Sequence, residues 1–156
     1  MTTTLTTLAD IEEKVGVIIR DLFKSDSTLI ALMGRTADSS IHYSFVPDKK
    51  TRANQIYPYL RIDLADSDVG DYSHDGSVLR ADVVLTVNCW AYDPFIAHKM
   101  SGRTRTIVND NAATLRTNHL CCRNMSFSSY TDPRNEGKDV THDVVRLFIK
   151  AEGAKS

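Results

Sequence analysis

The stretch Val78-Leu-Arg-Ala-Asp-Val-Val-Leu-Thr-Val-Asn-Cys-Trp-Ala-Tyr92 constrains the fold of this chain more than any other. Its odd positions are Leu79, Ala81, Val83, Leu85, Val87, Cys89 and Ala91, and none is polar. Its even positions include Arg80, Asp82, Thr86 and Asn88 and close on Trp90 and Tyr92. A period of two sends alternate side chains to opposite faces of a strand, so one face meets a core and the other meets water or a partner. The chain is therefore built around a long, half-wet strand.

Shorter strands with the same alternation precede it. Ile41-His-Tyr-Ser-Phe-Val46 puts Ile41, Tyr43 and Phe45 on one side and is closed by Pro47. Tyr57-Pro-Tyr-Leu-Arg-Ile-Asp-Leu64 sets Leu60, Ile62 and Leu64 inward and Tyr59, Arg61 and Asp63 outward. Pro58 lacks a backbone donor, which fits the start of a strand. The segment from Ala65 to Ser77, with Asp66, Asp68, Asp71 and Asp75, joins two strands and predicts an extended acidic hairpin arm. Two more strands are expected near Leu120–Tyr130 and Val140–Ala151, linked by a turn-rich loop.

Helical spacing appears elsewhere. Leu8, Ile11, Val15, Ile18, Ile19, Leu22 and Phe23 fall on one helix face, and Thr7 with Asp10 predicts a capping box at its start. A short second helix through Thr28–Met33 ends at Gly34. Asp93-Pro94 opens a third, because aspartate caps a helix and proline fits its first turn; its apolar side predicts one helix running to about Thr117. The order is helix, helix, three strands, helix, two strands. Short connections favour antiparallel neighbours, so the expected class is α+β, a mostly antiparallel sheet of about five strands with helices on one face.

At 156 residues the chain is expected to be one domain, 1–156, with loose ends at about 1–6 and 152–156. Nineteen basic and twenty acidic residues nearly cancel, which argues against general binding to nucleic acid or an anionic membrane. No apolar run approaches the ~20 residues of a membrane span, and the amino terminus has no signal-peptide pattern. Cys89, Cys121 and Cys122 have no paired metal spacing and predict reduced thiols and folding in a reducing compartment.

The chemistry-bearing residues give no catalytic pattern. No phosphate-cradling glycine loop, nucleophile elbow or His-Glu-x-x-His is present. His142 and Asp143 are neighbours in a strand and point to opposite faces, and Ser101 has no base beside it in sequence. The histidines are too widely spaced for a metal set, so no enzyme activity, metal or cofactor is expected.

What remains is surface. The outward sheet face mixes Trp90, Tyr92 and Phe148 with arginines and aspartates, a composition enriched at protein interfaces. The helix after Pro94 carries Lys99, Arg103 and Arg105, a loop carries Lys49, Lys50 and Arg52, and the arm carries Asp66, Asp68 and Asp71. Basic and acidic patches on one chain suit head-to-tail contacts between identical copies that close into a ring. These twelve residues are the candidate interface.

The ordered set of Ile19-Arg-Asp-Leu-Phe-Lys-Ser-Asp-Ser-Thr-Leu-Ile-Ala-Leu-Met-Gly34, Ile41-His-Tyr, Val46-Pro47, Tyr57-Pro-Tyr-Leu-Arg-Ile, Val87-Asn-Cys-Trp90 and His142-Asp-Val-Val-Arg-Leu-Phe-Ile149 resembles the tail-terminator or tail-completion proteins of long-tailed bacteriophages. The resemblance spans roughly residues 15 to 151. It implies a virion structural protein that forms a ring, commonly a hexamer, caps the tail tube, stops its polymerisation and joins the tail to the head connector. The implied partners are further copies of the chain, the tail tube protein, the head-tail connector protein and, as an additional candidate, the sheath protein. DNA would pass through the ring without specific recognition. The implied location is the tail and neck of the virion, after assembly in the host cytoplasm. Alternatives are a head-completion or connector ring, and a small ligand-binding α+β domain.

Overall fold

The computed structural model describes residues 7–34, 36–43, 57–72, 78–132 and 139–154. The elements run α1 (Leu8–Lys24), α2 (Ser27–Met33), α3 (Ala37–Ser40), β1 (Ile41–Tyr43), β2 (Tyr59–Tyr72), β3 (Val78–Ala91), α4 (Pro94–Asp110), α5 (Ala112–Thr117), β4 (Leu120–Asp132) and β5 (Val140–Ala154). The five strands form one sheet in the order β1-β2-β3-β5-β4. β1 pairs parallel to β2, and every other pairing is antiparallel. The fold is α+β with a mixed, mostly antiparallel sheet.

The alternation in the sequence sets the faces. Ala81, Val83, Leu85, Val87, Cys89 and Ala91 of β3 are buried, as are Leu60 and Ile62 of β2 and Val145, Leu147, Ile149 and Ala151 of β5. They share one apolar core with Ile11, Val15, Ile19 and Phe23 of α1, Leu29 and Met33 of α2, Met100, Ile107 and Val108 of α4, and Leu115 of α5. Each large aliphatic side chain so buried contributes roughly 1.5–3 kcal/mol. The helices therefore line one face of the sheet, and the opposite face carries Arg61, Asn88, Trp90 and His142.

Local chemistry fixes the helix ends. Thr7 and Asp10 make the expected reciprocal capping box on α1. Asp26 caps α2 by accepting from the Leu29 amide at 2.8 Å, and Gly34 ends it at φ 68°, the left-handed region glycine adopts without strain. Asp93 accepts from the Phe95 amide at 2.9 Å, with Pro94 in the first turn of α4.

Three expectations are corrected or refined. The third helix is interrupted: the Asn111 side chain donates to the Ile107 carbonyl at 2.8 Å, and α5 starts afresh at Ala112. Leu64, expected inward, is 37% exposed, at the point where a register shift interrupts the β2–β3 ladder. The acidic arm is mostly strand, since β2 pairs with β3 as far as Tyr72 opposite Leu79. Lys49, Lys50, Arg52 and Phe45 lie outside the described residues. Tyr57–Pro58 is a cis peptide.

Candidate functional site

β2, β3 and β5 run side by side, so their outward side chains form three zones along the strands. At the Ala91 end, Trp90 lies between Tyr59 (centroids 4.9 Å apart, 23° between planes) and His142 (4.4 Å, 13°). Tyr57 packs against Tyr59 and Tyr92, Val140 closes the cluster, and the Arg61 guanidinium sits 5.2 Å over the Trp90 ring. Trp90 is consequently only 8% exposed, a buried anchor of the outward face, whereas Tyr92 stays 43% exposed. Trp90 thus stands on the outward face, where parity puts it, but stacked between Tyr59 and His142.

The middle zone is polar and mutually satisfied. Arg61 Nε donates to Asp63 Oδ2 at 2.7 Å, and Asn88 Nδ2 donates to the same oxygen at 3.0 Å. That orients Asn88 so that its Oδ1 faces His142 Nε2 at 2.9 Å, which makes His142 Nε2 the donor. The far zone is charged and exposed, with Arg80 paired to Glu152 at 3.0 Å and Asp66, Asp68, Asp82 and Lys150 around it. Asp71 stands opposite Arg80 in the β2–β3 register. Phe148 is half-buried, level with Val84 and Asn124 in the strands beside it.

Under α4, on the helix side, sits a cluster that the sequence does not bring together. Asp143 is fully buried, and its Oδ2 meets His98 Nδ1 at 2.5 Å and the Ser101 hydroxyl at 3.3 Å. Its Oδ1 accepts from the Ser129 hydroxyl at 2.6 Å. Ser, His and Asp are all present, but Ser101 donates to the carboxylate and to the His98 carbonyl, not to the imidazole. This is not the serine-to-imidazole geometry of a nucleophilic triad. The arrangement locks α4 onto β4 and β5. Its one visible signal in the sequence is an aspartate at an inward position of a strand, between Thr141 and Val145, where a buried charge demands partners.

The basic residues of α4 divide. Lys99 is exposed. Arg103 is engaged inside the molecule, its Nε and Nη2 donating to the two carboxylate oxygens of Asp26 at 3.0 and 2.6 Å. That guanidinium, together with the Leu29 amide, holds the Asp26 carboxyl below the usual carboxylate range. Arg105 lies over the Phe127 ring, 4.9 Å from its centroid. Burial, and next the Asp143 charge, pushes the Cys89 thiol far up, and burial raises Cys122, so neither is a poised nucleophile. Among the described residues no group of three metal-ligating side chains converges, and no helix is long and apolar enough to cross a membrane.

No protein-family model and no curated protein matches the chain. A solved structure, the virion of the native gene transfer agent (GTA) particle, contains a chain that matches with a TM-score of 0.50 at 13% identity, covering 95% of this chain and 98% of that one. The likeness is one of fold. It extends over nearly the full length of both chains.

Proposed function

We propose that the chain is a structural protein of a phage-like virion and, within it, a ring-forming tail terminator. The observation that carries this reading is the co-extensive fold match to a chain of the GTA virion, 95% of one against 98% of the other. The sequence resemblance to tail terminators points the same way. The side-chain chemistry supports a role without bond-making: the Ser-His-Asp cluster is closed on itself beneath α4. Its surfaces instead offer charge and exposed aromatics to other proteins, with Phe95 at 73%, Tyr130 at 57% and Phe127 at 41% exposure.

In this reading copies of the chain form a ring on the last turn of the tail tube, prevent further addition and present the opposite side to the head connector. Particles produced without the chain are expected to accumulate as filled heads and separate tails of irregular length. Normal joined particles of normal tail length would overturn the proposal. Unjoined heads with tails of normal length would overturn the terminator role and leave a neck ring on the head side.

A further inference from the structure

We propose that two copies of the chain pair through their β4 edges about a two-fold axis, joining two five-stranded sheets into one. β4 is an outer strand and pairs only with β5 among the described residues. Half of its backbone donors and acceptors therefore face away from the sheet. A strand packed on one face alternates exposed and buried residues, yet Ser126, Phe127, Ser128, Ser129, Tyr130 and Thr131 are all exposed. Proteins guard such an edge with charge, proline, glycine or bulges. β4 has a register shift at Arg123, but from Asn124 to Thr131 it has none of these.

A two-fold contact uses one edge twice, and the residues Asn124 to Thr131 that form it here are all described. The axis makes the two strands antiparallel, and residues directly opposite must share a face. The register with β5 turns the even residues of this stretch outward and sends Met125, Phe127 and Ser129 toward the helix side. Placing Phe127 on the axis satisfies that rule. Ser126 then lies opposite Ser128 of the second copy, Asn124 opposite Tyr130, and Met125 opposite Ser129. His98 and Arg105 of α4 pack on the Phe127 ring from within the molecule, but 41% of the residue stays exposed. Its counterpart across the axis would cover that surface as an aromatic cross-strand pair. An axis through Ser128 also keeps the faces matched, but it sets Phe127 against Ser129 and forms no such pair.

Charge permits a second copy as the occupant. The ladder itself carries no ionised side chain, and its two Ser126–Ser128 pairs can hydrogen-bond across the strands. Antiparallel pairing sends the two Arg123 residues to opposite ends, separated by the span from Arg123 to Thr131, roughly 27 Å. Arg146 of β5 is level with Ser126, and the two copies hold theirs three strand spacings apart, roughly 14 Å. Both separations exceed the Debye length of about 8 Å at physiological ionic strength. Each Arg105 reaches Phe127 from its own α4, so the two guanidiniums flank the ring pair from opposite sides. α4 itself stands back from the edge behind an open groove of about 650 Å³, lined by Gly102, Arg105, Asn109, Arg123 and Met125 among others. The helices of the two copies therefore do not collide.

The inference goes beyond the ring-forming reading and does not require it. A two-fold contact closes on itself, whereas a ring on one end of a tube is built head to tail. The pair is thus the form of the free chain, which covers its open edge until the chain enters an assembly.

The test uses the full chain. Sedimentation of the wild type should show a monomer–dimer equilibrium, and hydrogen exchange should slow at alternate amides between Asn124 and Thr131 as the dimer fills. Ser126→Lys with Ser128→Lys sets lysine opposite lysine at exposed outward positions and should weaken the dimer by about tenfold or more. Ser126→Glu with Ser128→Glu should weaken it likewise, and mixing the two variants should restore pairing as a heterodimer in native mass spectrometry. With Cys121→Ser and Cys122→Ser in the background, Phe127→Cys should form a disulfide between copies on oxidation. Ser128→Cys, two rows from its own counterpart, should not. A wild type that stays monomeric at high concentration, a dimer with those amides unprotected, or equal cross-linking at both positions would overturn the pairing. A chain that passes directly from monomer to rings would overturn it too and leave the ring reading standing.

Discussion

α1 and α4 are each 17 residues long, lie on the same face of the sheet, and are held there by different physics. The buried residues of α1 are Ile11, Val15, Gly16, Ile19 and Phe23, with no polar side chain among them. Those of α4 include Ser101 and Thr104, and beneath them lies the Asp143 carboxylate with its three partners. α1 is attached by area removed from water, which is non-directional and approximately additive. α4 is attached in part by hydrogen bonds that stabilise only while every member is satisfied. A helix of the first kind tolerates reshaping of its contacts. One of the second kind fails sharply when a single partner is removed.

The largest expected effects test that contrast directly. Phe23→Ala should cost about 3–5 kcal/mol in urea unfolding, the transfer term plus the cavity left at a fully buried site. Asp143→Ala should cost somewhat less, about 2–4 kcal/mol, because His98 Nδ1 and the Ser129 hydroxyl lose their partner and Ser101 keeps only the His98 carbonyl. The two losses should differ in their repair. Combining Asp143→Val with Ser101→Ala and Ser129→Ala removes both hydroxyl donors along with the acceptor, leaves the half-exposed His98 ring to water, and should recover most of the stability. No second substitution nearby restores the volume of Phe23 in the same way. Were the triple variant no more stable than Asp143→Ala, α4 would be held by a specific charge and the contrast would need restating.

The same contrast explains what the sequence makes legible. The apolar periods of α1 and β3, the Thr7–Asp10 box and the Asp93-Pro94 start are local patterns, and each appears where it is expected. Inward and outward faces follow from parity, which places His142 against Trp90 and its neighbour Asp143 in the core. The Asp143 cluster is not local: its members come from α4, β4 and β5, and only the β3–β5–β4 strand order unites them. Arg103 is a second case. Its charge suggests a surface patch, but α2 places Asp26 within reach, so it serves the interior. The exposed set of Asp66, Asp68, Lys99 and Tyr92 does stand at the surface as composition suggests.

Asp26 offers an intermediate effect, since it caps α2 and holds Arg103 of α4 at once. Asp26→Ala should cost about 1–2 kcal/mol, most of it the lost cap. Because the folded carboxyl is depressed below its unfolded value, the unfolded chain binds more protons between those two values. The associated stability is full above the ordinary carboxylate range, about pH 4, and is lost as pH falls through the lower folded value. Asp38 beside Lys24 shifts in the same direction, so the informative quantity is the difference between wild type and Asp26→Asn. That difference should shrink on acidification below about pH 4. A difference independent of pH would mean that Asp26 acts as a neutral cap and adds no charge-dependent tie to α4.

The smallest effect probes shape on the α1 side. Gly16→Ala in an isolated helix should stabilise by about 0.8–1 kcal/mol. Here an added Cβ would lie 2.2 Å from the Tyr43 ring, so the ring or the helix must move. The net result should be a loss of about 1 kcal/mol, as overpacking outweighs helix propensity. With Tyr43→Val removing the ring, the same substitution should change sign and stabilise the protein by up to about 1 kcal/mol. Such a reversal would show that even the helix attached by apolar area is fitted to one neighbour. Stabilisation in both backgrounds would show that Tyr43 yields freely, leaving α1 held by area alone and widening its distance from α4.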